Sequence, residues 1–345
     1  MTANIGSDGR TVSQKQLANY LGLSAATVSI VLNGAPKAAD IPETTKRRIF
    51  EAARSLNYHP NVMARSLRAK RSYLIGVLVP ELSDGYSSAV LSGIEEFLMS
   101  IGYFYIVASH RHKPELLARY PHMLFARCVE GLIAVDTVCS DDLPLPTVSV
   151  SGHKPISGIT NVLLRHQRAA ELALRHLIDL GHRRIAFIRG QPFSSDSAVR
   201  WKSIQVAAAG MQLEIDPQLV VQLNADSPRP DVGYEAAKKL LATSTPFTAL
   251  FSWNDVSAIG AMQAIRQAGY RVPEDISVIG FDDITAASFH QPALTTIRQP
   301  LLDMGRIAAR VLMNRIDNPT NSHPARVEVD PELIVRSSTA RAISK

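Results

Sequence analysis

The spacing of apolar residues changes twice along the chain. Between residues 11 and 57, apolar positions recur every three or four residues, as on one face of a helix. From Tyr73 onwards, short uninterrupted apolar runs alternate with longer segments of helical periodicity. Between them lies the stretch "HPNVMARSLRAKRSY", with four basic residues around one leucine. The pattern predicts a small helical head, a short cationic linker and a larger α/β body.

The run "TVSQKQLANYLGLSAATVSIVLNG" predicts two short helices in the head. Gly22 breaks the periodicity between them, and Ser24 is a good N-cap because its hydroxyl can accept from free amides of the next turn. The apolar positions expected to face the core are Leu17, Ala18 and Leu21 in the first helix and Val28, Val31 and Leu32 in the second. A third helix is predicted from Pro42 to about Asn57, packed through Ile49, Phe50, Ala53 and Leu56. This is a helix-turn-helix pattern, whose second helix can enter a major groove of DNA.

The outward face of the second helix predicts an unusual reading surface. Ala25, Ala26 and Ile30 have no hydrogen-bonding side-chain groups, so they can contact thymine methyl groups or respond to DNA shape. The alternative is that Ile30 belongs to the core and the helical phase is shifted. The DNA contacts predicted in and beside the head helices are Thr11, Ser24, Ala25, Ala26, Thr27, Ser29, Ile30 and Asn33.

Charge is concentrated in the head and linker. The 345 residues carry a formal charge of +6, and residues 1–72 hold eleven Lys or Arg against four acids, so the rest of the chain carries −1. This asymmetry indicates a polyanionic partner for the head, the alternative being a solvated basic face. The amino terminus lacks the apolar core of a secretion signal, and no run of about 18 apolar residues occurs. A cytoplasmic protein is therefore expected.

Few residues suggest metal or catalytic chemistry. Cys128 and Cys139 fit neither a disulfide framework nor a zinc site and are interpreted as ordinary thiols in a reducing cytoplasm. No P-loop, "GxSxG" or "HExxH" motif occurs, so an enzyme is a weak alternative and no cofactor or metal is expected. A periplasmic solute-binding protein is a second alternative, but it would leave the basic head unexplained and would need a secretion signal.

The body is predicted to contain two α/β lobes. Apolar strands such as "SYLIGVLVP", "GLIAVD" and "ISVIGFD" alternate with helical segments, which is typical of doubly wound parallel sheets. The 273 residues from Tyr73 onwards are too many for one sheet of ordinary size, so two lobes with a cleft are expected. Pro121 is predicted to interrupt the helix that contains it.

Ligands of open α/β sheets bind beyond the carboxyl ends of the strands, so residues in that position are candidates. Tyr86, Ser151, Trp253, Asn254, Asp282 and Asp283 follow strands in this way. Carboxylates and an amide facing an aromatic ring suit a polyol, a sugar or a base, because the ring can cover an apolar face. In the alternative interpretation, Asp282 caps a turn, Asn254 caps the helix that begins at Asp255, and Trp253 belongs to the core.

The head and linker sequences resemble the lac repressor family of bacterial transcription regulators. The resemblance continues through "LGHRRIAFIRG", "NDVSAIGAMQAI", "VPEDISVIGFDD", "PALTTIRQP" and "PELIVRSST", and covers about residues 11–340. It implies periplasmic-binding-protein-like lobes joined by three crossovers. The implied organisation is a helix-turn-helix domain at 10–59, a hinge helix and linker at 60–72, an N-terminal lobe at 73–165 and 298–326, and a C-terminal lobe at 166–297 and 327–345.

The resemblance also implies roles for residues of the linker. A helix from Asn61 to Ala69 would be too short to be stable alone, because helix nucleation is costly. In the family the matching segment pairs with its copy in the second subunit and enters the minor groove, and the leucine that wedges between base steps falls on Leu67. The alternative is a charged linker helix with an incidental leucine. The implied contacts are Asn61, Ala64, Arg65 and Leu67.

For the effector, the resemblance implies contacts from Asn254 and Asp282, and from Arg200 by a less secure local alignment. Ser151 replaces a frequent aspartate, and Arg165-His166 replaces a frequent acidic pair, so an anionic effector such as a sugar acid or sugar phosphate is expected, with Arg165 in contact. The full interpretation is an effector-controlled repressor that binds a palindromic operator. The chain ends without a heptad tail, which favours a homodimer over a tetramer.

Overall fold

The computed structural model describes residues 12–33, 36–58, 71–83, 85–140, 143–152, 154–224 and 229–343. The chain divides into two compact units, Met1–Ser72 and Tyr73–Lys345. Several residues predicted to contact DNA lie outside the described ranges, and their roles stay predictions: Thr11, Asn61, Ala64, Arg65 and Leu67.

The small unit contains three α-helices in its described part: α1 (Gln14–Leu21), α2 (Ala25–Leu32) and α3 (Glu43–Ser55). The ends of α1 and α2 are set by local chemistry. Gly22 closes α1 with φ 67°, a left-handed conformation that favours glycine. Ser24 then caps α2, because its Oγ accepts from the amide of Thr27 at 3.0 Å. Both features were predicted from the sequence.

The core of the small unit differs from the prediction at one position. The buried core residues are Leu17, Ala18, Val28, Val31, Ile49, Ala52 and Ala53. Phe50 was expected in this core, but it is 45% exposed. The inward stripe of α3 runs through Ile49, Ala52 and Ala53, and Phe50 lies about 100° around the helix from Ile49.

The larger unit contains two six-stranded sheets. Its strands are β1 (Leu74–Val79), β2 (Phe104–Ser109), β3 (Leu132–Val135), β4 (Thr147–Val150), β5 (Thr160–Leu164), β6 (Ile185–Arg189), β7 (Val220–Gln222), β8 (Ala249–Phe251), β9 (Ser277–Asp282), β10 (Thr295–Arg298), β11 (Arg326–Val329) and β12 (Glu332–Ile334). The first sheet has the order β11-β5-β4-β3-β1-β2 and is parallel throughout. The second has the order β12-β10-β9-β8-β6-β7. Its edge strand β12 runs antiparallel to β10, which departs from the expected all-parallel arrangement.

The helices of the larger unit are α4 (Gly85–Ser100), α5 (Pro114–Phe125), α6 (His166–Asp179), α7 (Ser197–Gly210), α8 (Asp231–Leu241), α9 (Asp255–Gln267), α10 (Thr285–Phe289) and α11 (Leu301–Asp317). Each sheet and the helices that pack on it form one lobe, called here the first and the second lobe. The chain crosses between the lobes after β5, after β10 and after β11. The last crossing lies beyond Val329, because β11 pairs with β5 past the expected boundary at residue 326. None of the helices in the described ranges is long and apolar enough to cross a membrane.

Glycines allow the helices of each lobe to approach closely. A Cβ on Gly93 of α4 would lie 1.9 Å from the carbonyl oxygen of Leu302, and one on Gly305 of α11 would lie 2.1 Å from that of Val90. The second lobe repeats the arrangement, since a Cβ on Gly233 of α8 would lie 2.0 Å from the carbonyl oxygen of Ser257 in α9. Backbone therefore packs directly on backbone in both helix pairs.

The prediction that Pro121 interrupts its helix was wrong. α5 continues through Pro121 to Phe125, and the amide of Ala126 still donates to the carbonyl of His122. Proline in a helix removes one backbone hydrogen bond, at a cost of about 3 kcal/mol or more. Pro121 is buried, so packing of its ring against the first lobe offsets part of that cost.

Candidate functional site

A pocket lies between the two lobes, beyond the carboxyl ends of their strands. From the first lobe it is lined by Glu81, Tyr86, His112 and Asp136, among others. From the second lobe it is lined by Asp196, Arg200, Trp253, Asn254 and Asp282, among others. Tyr86, Arg200, Trp253, Asn254 and Asp282 were predicted here from the sequence, and the structure brings these five together.

Arg200 is held rigidly inside this pocket. Its guanidinium lies between the rings of Trp253 and Phe281, 3.9 and 3.8 Å from their centroids. It donates to the carbonyl oxygen of Trp253 at 2.7 Å and forms a buried ion pair with Asp196. Asp196 also bonds the Nε2 of buried His166 at 2.9 Å. The charge of Arg200 is therefore offset within the protein, and its side chain has a fixed orientation.

The ring of Trp253 is largely occupied by the protein itself. Arg200 contacts it, and the backbone of Gly190 approaches so closely that a Cβ there would lie 2.5 Å from the ring. Trp253 still lines the pocket and is partly buried. The expectation that this ring covers the apolar face of a ligand loses support, because the chain's own atoms cover much of that surface.

Asn254 caps helix α9 and also lines the pocket. Its Oδ1 accepts from the amide of Ser257 at 2.9 Å, and the Ser257 hydroxyl accepts from the Asn254 amide at 3.2 Å. This capping box was the alternative interpretation of Asn254. Capping uses the carboxamide oxygen, and the side-chain NH2 group makes no hydrogen bond to the described residues, which leaves it available as a donor.

The two adjacent aspartates after β9 have different roles. Asp282 lines the pocket, is only 6% exposed, and accepts from Nε2 of Gln299 at 2.7 Å. Its backbone φ of 109° is rare for a residue other than glycine. Asp283 instead pairs with Arg298 at 2.7 Å and Arg336 at 2.6 Å. The first aspartate is thus placed for a ligand, and the second stabilises the second lobe.

Ser151 acts on the pocket through Tyr86. The Tyr86 hydroxyl donates to the Ser151 Oγ at 2.7 Å. Burial raises the pKa of Tyr86 well above its usual value, and the carboxylates of Asp136, Asp196 and Asp282 raise it further. The hydroxyl is therefore protonated at physiological pH and oriented by Ser151, which is buried beneath it.

Arg165 lies away from the pocket, contrary to the prediction. Its guanidinium pairs with Glu328 at 3.3 Å and Asp330 at 2.9 Å, beside two of the crossovers. Its neighbour His166 is buried against Asp196. Arg165, which was expected to contact the effector, is therefore not among the described lining residues of the pocket. Four carboxylates among the described lining residues face one guanidinium, and that guanidinium is already paired.

Asp136 was missed by the sequence analysis. It directly follows β3, in a left-handed backbone conformation with φ 40°, and its carboxylate lines the pocket. The rule that identified Asp282 would have found it, because both aspartates end an apolar run. His112 and Glu81 were also missed, since they lie one or more residues beyond their strands in loops without a distinctive pattern.

The predicted reading face of α2 is partly accessible. Ala25, Ala26 and Asn33 are exposed, and Thr27, Ser29 and Ile30 are partly buried. Ile30 is not among the side chains that pack on the core of the small unit, which argues against a shifted helical phase. Asn33 donates through Nδ2 to the carbonyl of Ser29 at 2.8 Å, and this bond fixes its side chain at the end of the helix.

Comparisons with known proteins identify the family. Residues 15–61 match the description "Bacterial regulatory proteins, lacI family", and residues 174–339 match a periplasmic binding protein-like domain. The HTH-type transcriptional repressor PurR of Haemophilus influenzae is 33% identical over 334 residues, covering 94% of this chain and 97% of the relative. The chain belongs to the lacI family.

Solved structures of the lacI family support the assignment across both units. The lac repressor dimer bound to operator and the anti-inducer ONPF has a TM-score of 0.84 at 27% identity, covering 96% of this chain and all of that chain. A lacI-family regulator from Enterococcus faecium with bound ribose has a TM-score of 0.68 at 27% identity, covering 78% of this chain and all of that chain. As a lacI-family protein, the chain is a DNA-binding transcriptional repressor with a small-molecule effector domain.

Proposed function

We propose that this lacI-family repressor binds a two-fold symmetric operator as a homodimer and is controlled by a polyhydroxylated effector, neutral or positively charged. The observation that carries the proposal is the pocket between the lobes, where Tyr86, Asn254 and Asp282 offer hydroxyl, amide and carboxylate groups to one ligand. The same chain carries an accessible helix α2 for DNA. The pair of features fits an effector-controlled repressor better than either alternative function.

On the DNA side, each subunit places α2 in a major groove. The proposed contacts of the described residues are Ser24, Ala25, Ala26, Thr27, Ser29, Ile30 and Asn33. Ala26 and Ile30 supply apolar contact to thymine methyl groups, and Ser24 and Thr27 approach the phosphates at the amino end of α2. Two subunits reach successive major grooves of one face of the DNA, so the operator is a palindrome.

The negative charge of the pocket is expected to disfavour anionic effectors and to favour neutral or cationic ones. Asp136, Asp282 and Glu81 line the pocket, and the cationic Arg200 is paired with Asp196. An anion entering this partly buried space would meet several like charges, which are poorly screened there. Hydroxyl and ammonium groups donate hydrogen bonds to carboxylates and are favoured. The lacI-family regulator from Enterococcus faecium has bound ribose, and a transcriptional regulator of similar fold is a complex with cellobiose, which supports a neutral sugar for this chain.

The protein is proposed to act in the bacterial cytoplasm, at the nucleoid, without turnover of its ligand. The relatives are named as transcriptional repressors, which favours regulation over catalysis. Arg200, Trp253 and Asp196 hold one another in place, so the pocket resembles a fixed binding surface more than a site with a free nucleophile or base.

The effector class can be tested with matched ligands. Thermal unfolding of the purified protein would be compared in glucose, glucosamine and glucuronate, and in ribose and cellobiose. Neutral or amino sugars should raise the unfolding temperature, and glucuronate should not. A stabilising ligand should change operator affinity by about 5- to 150-fold. Stabilisation by glucuronate alone, or a stabilising ligand without any effect on operator binding, would contradict the proposal.

A further inference from the structure

The two lobes bond to each other directly at one side of the pocket. Ser194 and Ser195 lie in the loop between β6 and α7 of the second lobe. Asp136 and Ser151 follow β3 and β4, neighbouring strands of the first lobe. The Ser195 Oγ lies 3.0 Å from the Asp136 carboxylate and 2.5 Å from the Ser151 carbonyl oxygen. The Ser194 Oγ lies 3.4 Å from the same carboxylate.

The Ser195 hydroxyl has two possible acceptors, so its hydrogen bond to the first lobe survives small movements of either one. A serine hydroxyl carries one proton, so it donates to one acceptor at a time. Both of its acceptors, the Asp136 carboxylate and the Ser151 carbonyl, belong to the first lobe. Whichever acceptor takes the proton, the bond crosses between the lobes.

The same residues are connected to the ligand-binding side chains. Ser151 orients Tyr86 through its hydroxyl, and Asp136 itself lines the pocket. In the second lobe, Asp196 follows Ser195 directly and holds Arg200. A displacement of either serine would therefore move the side chains that face a ligand. Binding of a ligand in the pocket would in turn change the positions of the two serines.

A second contact between the lobes lies at the start of α4. Gly85 of the first lobe is so close to Ile284 of the second lobe that a Cβ on Gly85 would lie 2.7 Å from Cγ2 and 2.9 Å from Cβ of Ile284. Cβ is not the flexible end of a side chain, so an added methyl group cannot be accommodated without moving one lobe or the isoleucine backbone. The two lobes are thus held together by hydrogen bonds of the serines and by the van der Waals contact between Gly85 and Ile284.

We propose that Asp136, Ser151, Ser194 and Ser195 form a clasp that closes the two lobes on each other and couples the pocket to the DNA affinity of the repressor. The proposal rests on the proposed function, because the coupling requires that the chain be an effector-controlled DNA-binding protein. Coupling between the pocket and the DNA-binding surface requires an element with two discrete states. The clasp provides them, because its hydrogen bonds between the lobes are either formed or broken.

The test compares clasp variants with a matched control. Ser195→Ala removes the donor, and Asp136→Asn keeps the shape of the acceptor but removes its charge. Ser203→Ala is the control, because within the described part of the chain the Ser203 hydroxyl bonds only to the carbonyl of Val199 in its own helix. Gly85→Ala opens the lobes by a route that leaves all four clasp residues intact. Circular dichroism of each variant confirms folding.

Two quantities are measured without any ligand. Amide hydrogen exchange in residues 136–139 and 191–196 should become about tenfold faster or more in Ser195→Ala, because the donor to both first-lobe acceptors is lost. Asp136→Asn should have a smaller effect of the same sign, because the Ser151 carbonyl can still accept from Ser195. Affinity for the operator fragment selected by the wild-type protein should change by about fivefold or more, in the same direction in both variants and in Gly85→Ala. The double variant should resemble Ser195→Ala, since that substitution already removes the donor to both first-lobe acceptors. Ser203→Ala should change neither quantity.

If amide exchange were unchanged in both clasp variants, the proposal that these residues hold the lobes closed would be wrong. Faster exchange with unaltered operator affinity would overturn its coupling to DNA. If the wild-type protein selected no operator, the proposed function would fail, and the exchange measurement would still decide whether the clasp closes the lobes.

Discussion

Asn254 caps a helix, and we propose that the same side chain also binds the effector. Its carboxamide oxygen caps α9, and the other half of the carboxamide remains for a ligand. A change at this residue therefore alters two properties, and suitable variants should separate them.

Asn254→Ala should lower the free energy of unfolding by about 1 kcal/mol through loss of the cap, and should also weaken effector binding. Asn254→Ser keeps a capping oxygen but lacks the NH2 group. It should retain most of the stability and still bind effector weakly. Thermal unfolding and ligand titration of both variants measure the two effects. Equal effector affinity in Asn254→Ser and the wild type would show that Asn254 is only a cap.

His110 lies buried behind the pocket, and the protein holds it neutral. Its Nδ1 accepts from the amide of His112 at 3.1 Å, so the proton is on Nε2, which faces the Thr137 hydroxyl at 2.9 Å. Burial, with a smaller contribution from the neighbouring His112, lowers the pKa of His110 from 6.5 to about 4.

The lowered pKa of His110 predicts a loss of stability in mild acid. Between pH 6.5 and about 4 the unfolded chain binds a proton that the folded chain does not, so stability falls as the pH falls and levels off below about 4. The shift corresponds to at most about 3 kcal/mol. His110→Asn, which can accept from the same amide, should remove that part of the pH dependence. Urea unfolding of both proteins at pH 7 and pH 5 provides the comparison, and identical pH dependence would refute the assignment.

At the scale of elements, the helix pairs of the two lobes depend on glycine. A methyl group on Gly93 would overlap the carbonyl of Leu302, which is backbone and cannot rotate away. Gly210, the last residue of α7, has no heavy atom within 4 Å of an added Cβ. The two glycines therefore form a matched pair for substitution.

Gly93→Ala should destabilise the protein by about 3 kcal/mol or more, since overlap with backbone forces α4 and α11 apart. Gly210→Ala should be neutral or stabilising by up to about 1 kcal/mol, because alanine restricts the unfolded chain and fits the helix. Chemical denaturation of the two variants measures both changes. A Gly93→Ala protein as stable as Gly210→Ala would mean that the two helices are less closely packed than the structure shows.

The elements themselves were largely predictable from the sequence, because apolar periodicity and caps such as Ser24 are local signals. The alternation of strands and helices also predicted two α/β lobes. The antiparallel edge strand β12 was not predictable, because its direction follows from a chain that has just crossed between lobes. The uninterrupted helix through Pro121 depends on burial of the ring, which a local rule cannot include.

Among the predicted effector contacts, those that follow an apolar strand and match a family motif do line the pocket, as Asp282 and Asn254 illustrate. Arg165 was misplaced because its partners, Glu328 and Asp330, lie more than 160 residues away in sequence. Contacts between residues this far apart in sequence form only in the folded protein, and they cannot be predicted from a local sequence pattern. The expectation of an anionic effector rested partly on Arg165, and we now propose a neutral or positively charged one.

At the scale of the whole molecule, we propose that DNA binding depends on the state of the two lobes. The cationic linker between the units, with Leu67 at its centre, was interpreted from the sequence as the connection. It lies outside the described residues, so its role stays a prediction that DNA-binding measurements can test.

Leu67→Ala should weaken binding to the operator more than binding to unrelated DNA. An apolar wedge acts only where the minor groove is kinked in a specific complex, whereas phosphate contacts act on any sequence. Fluorescence anisotropy with both DNAs at one fixed salt concentration measures the two affinities. Equal losses on the two DNAs would remove Leu67 from the specific interface.

The most direct test of the central claim is selection of bound sequences from random DNA by the purified full-length protein, read by sequencing. The account predicts an enriched palindrome, with half-sites that α2 of two subunits can reach and a flexible step at the centre. It also predicts that a ligand that stabilises the protein changes the affinity for that palindrome. Enrichment of a single asymmetric half-site would contradict the dimer. Absence of any enriched sequence, with and without neutral and amino sugars at moderate salt, would contradict the claim that this protein is an effector-controlled reader of DNA sequence.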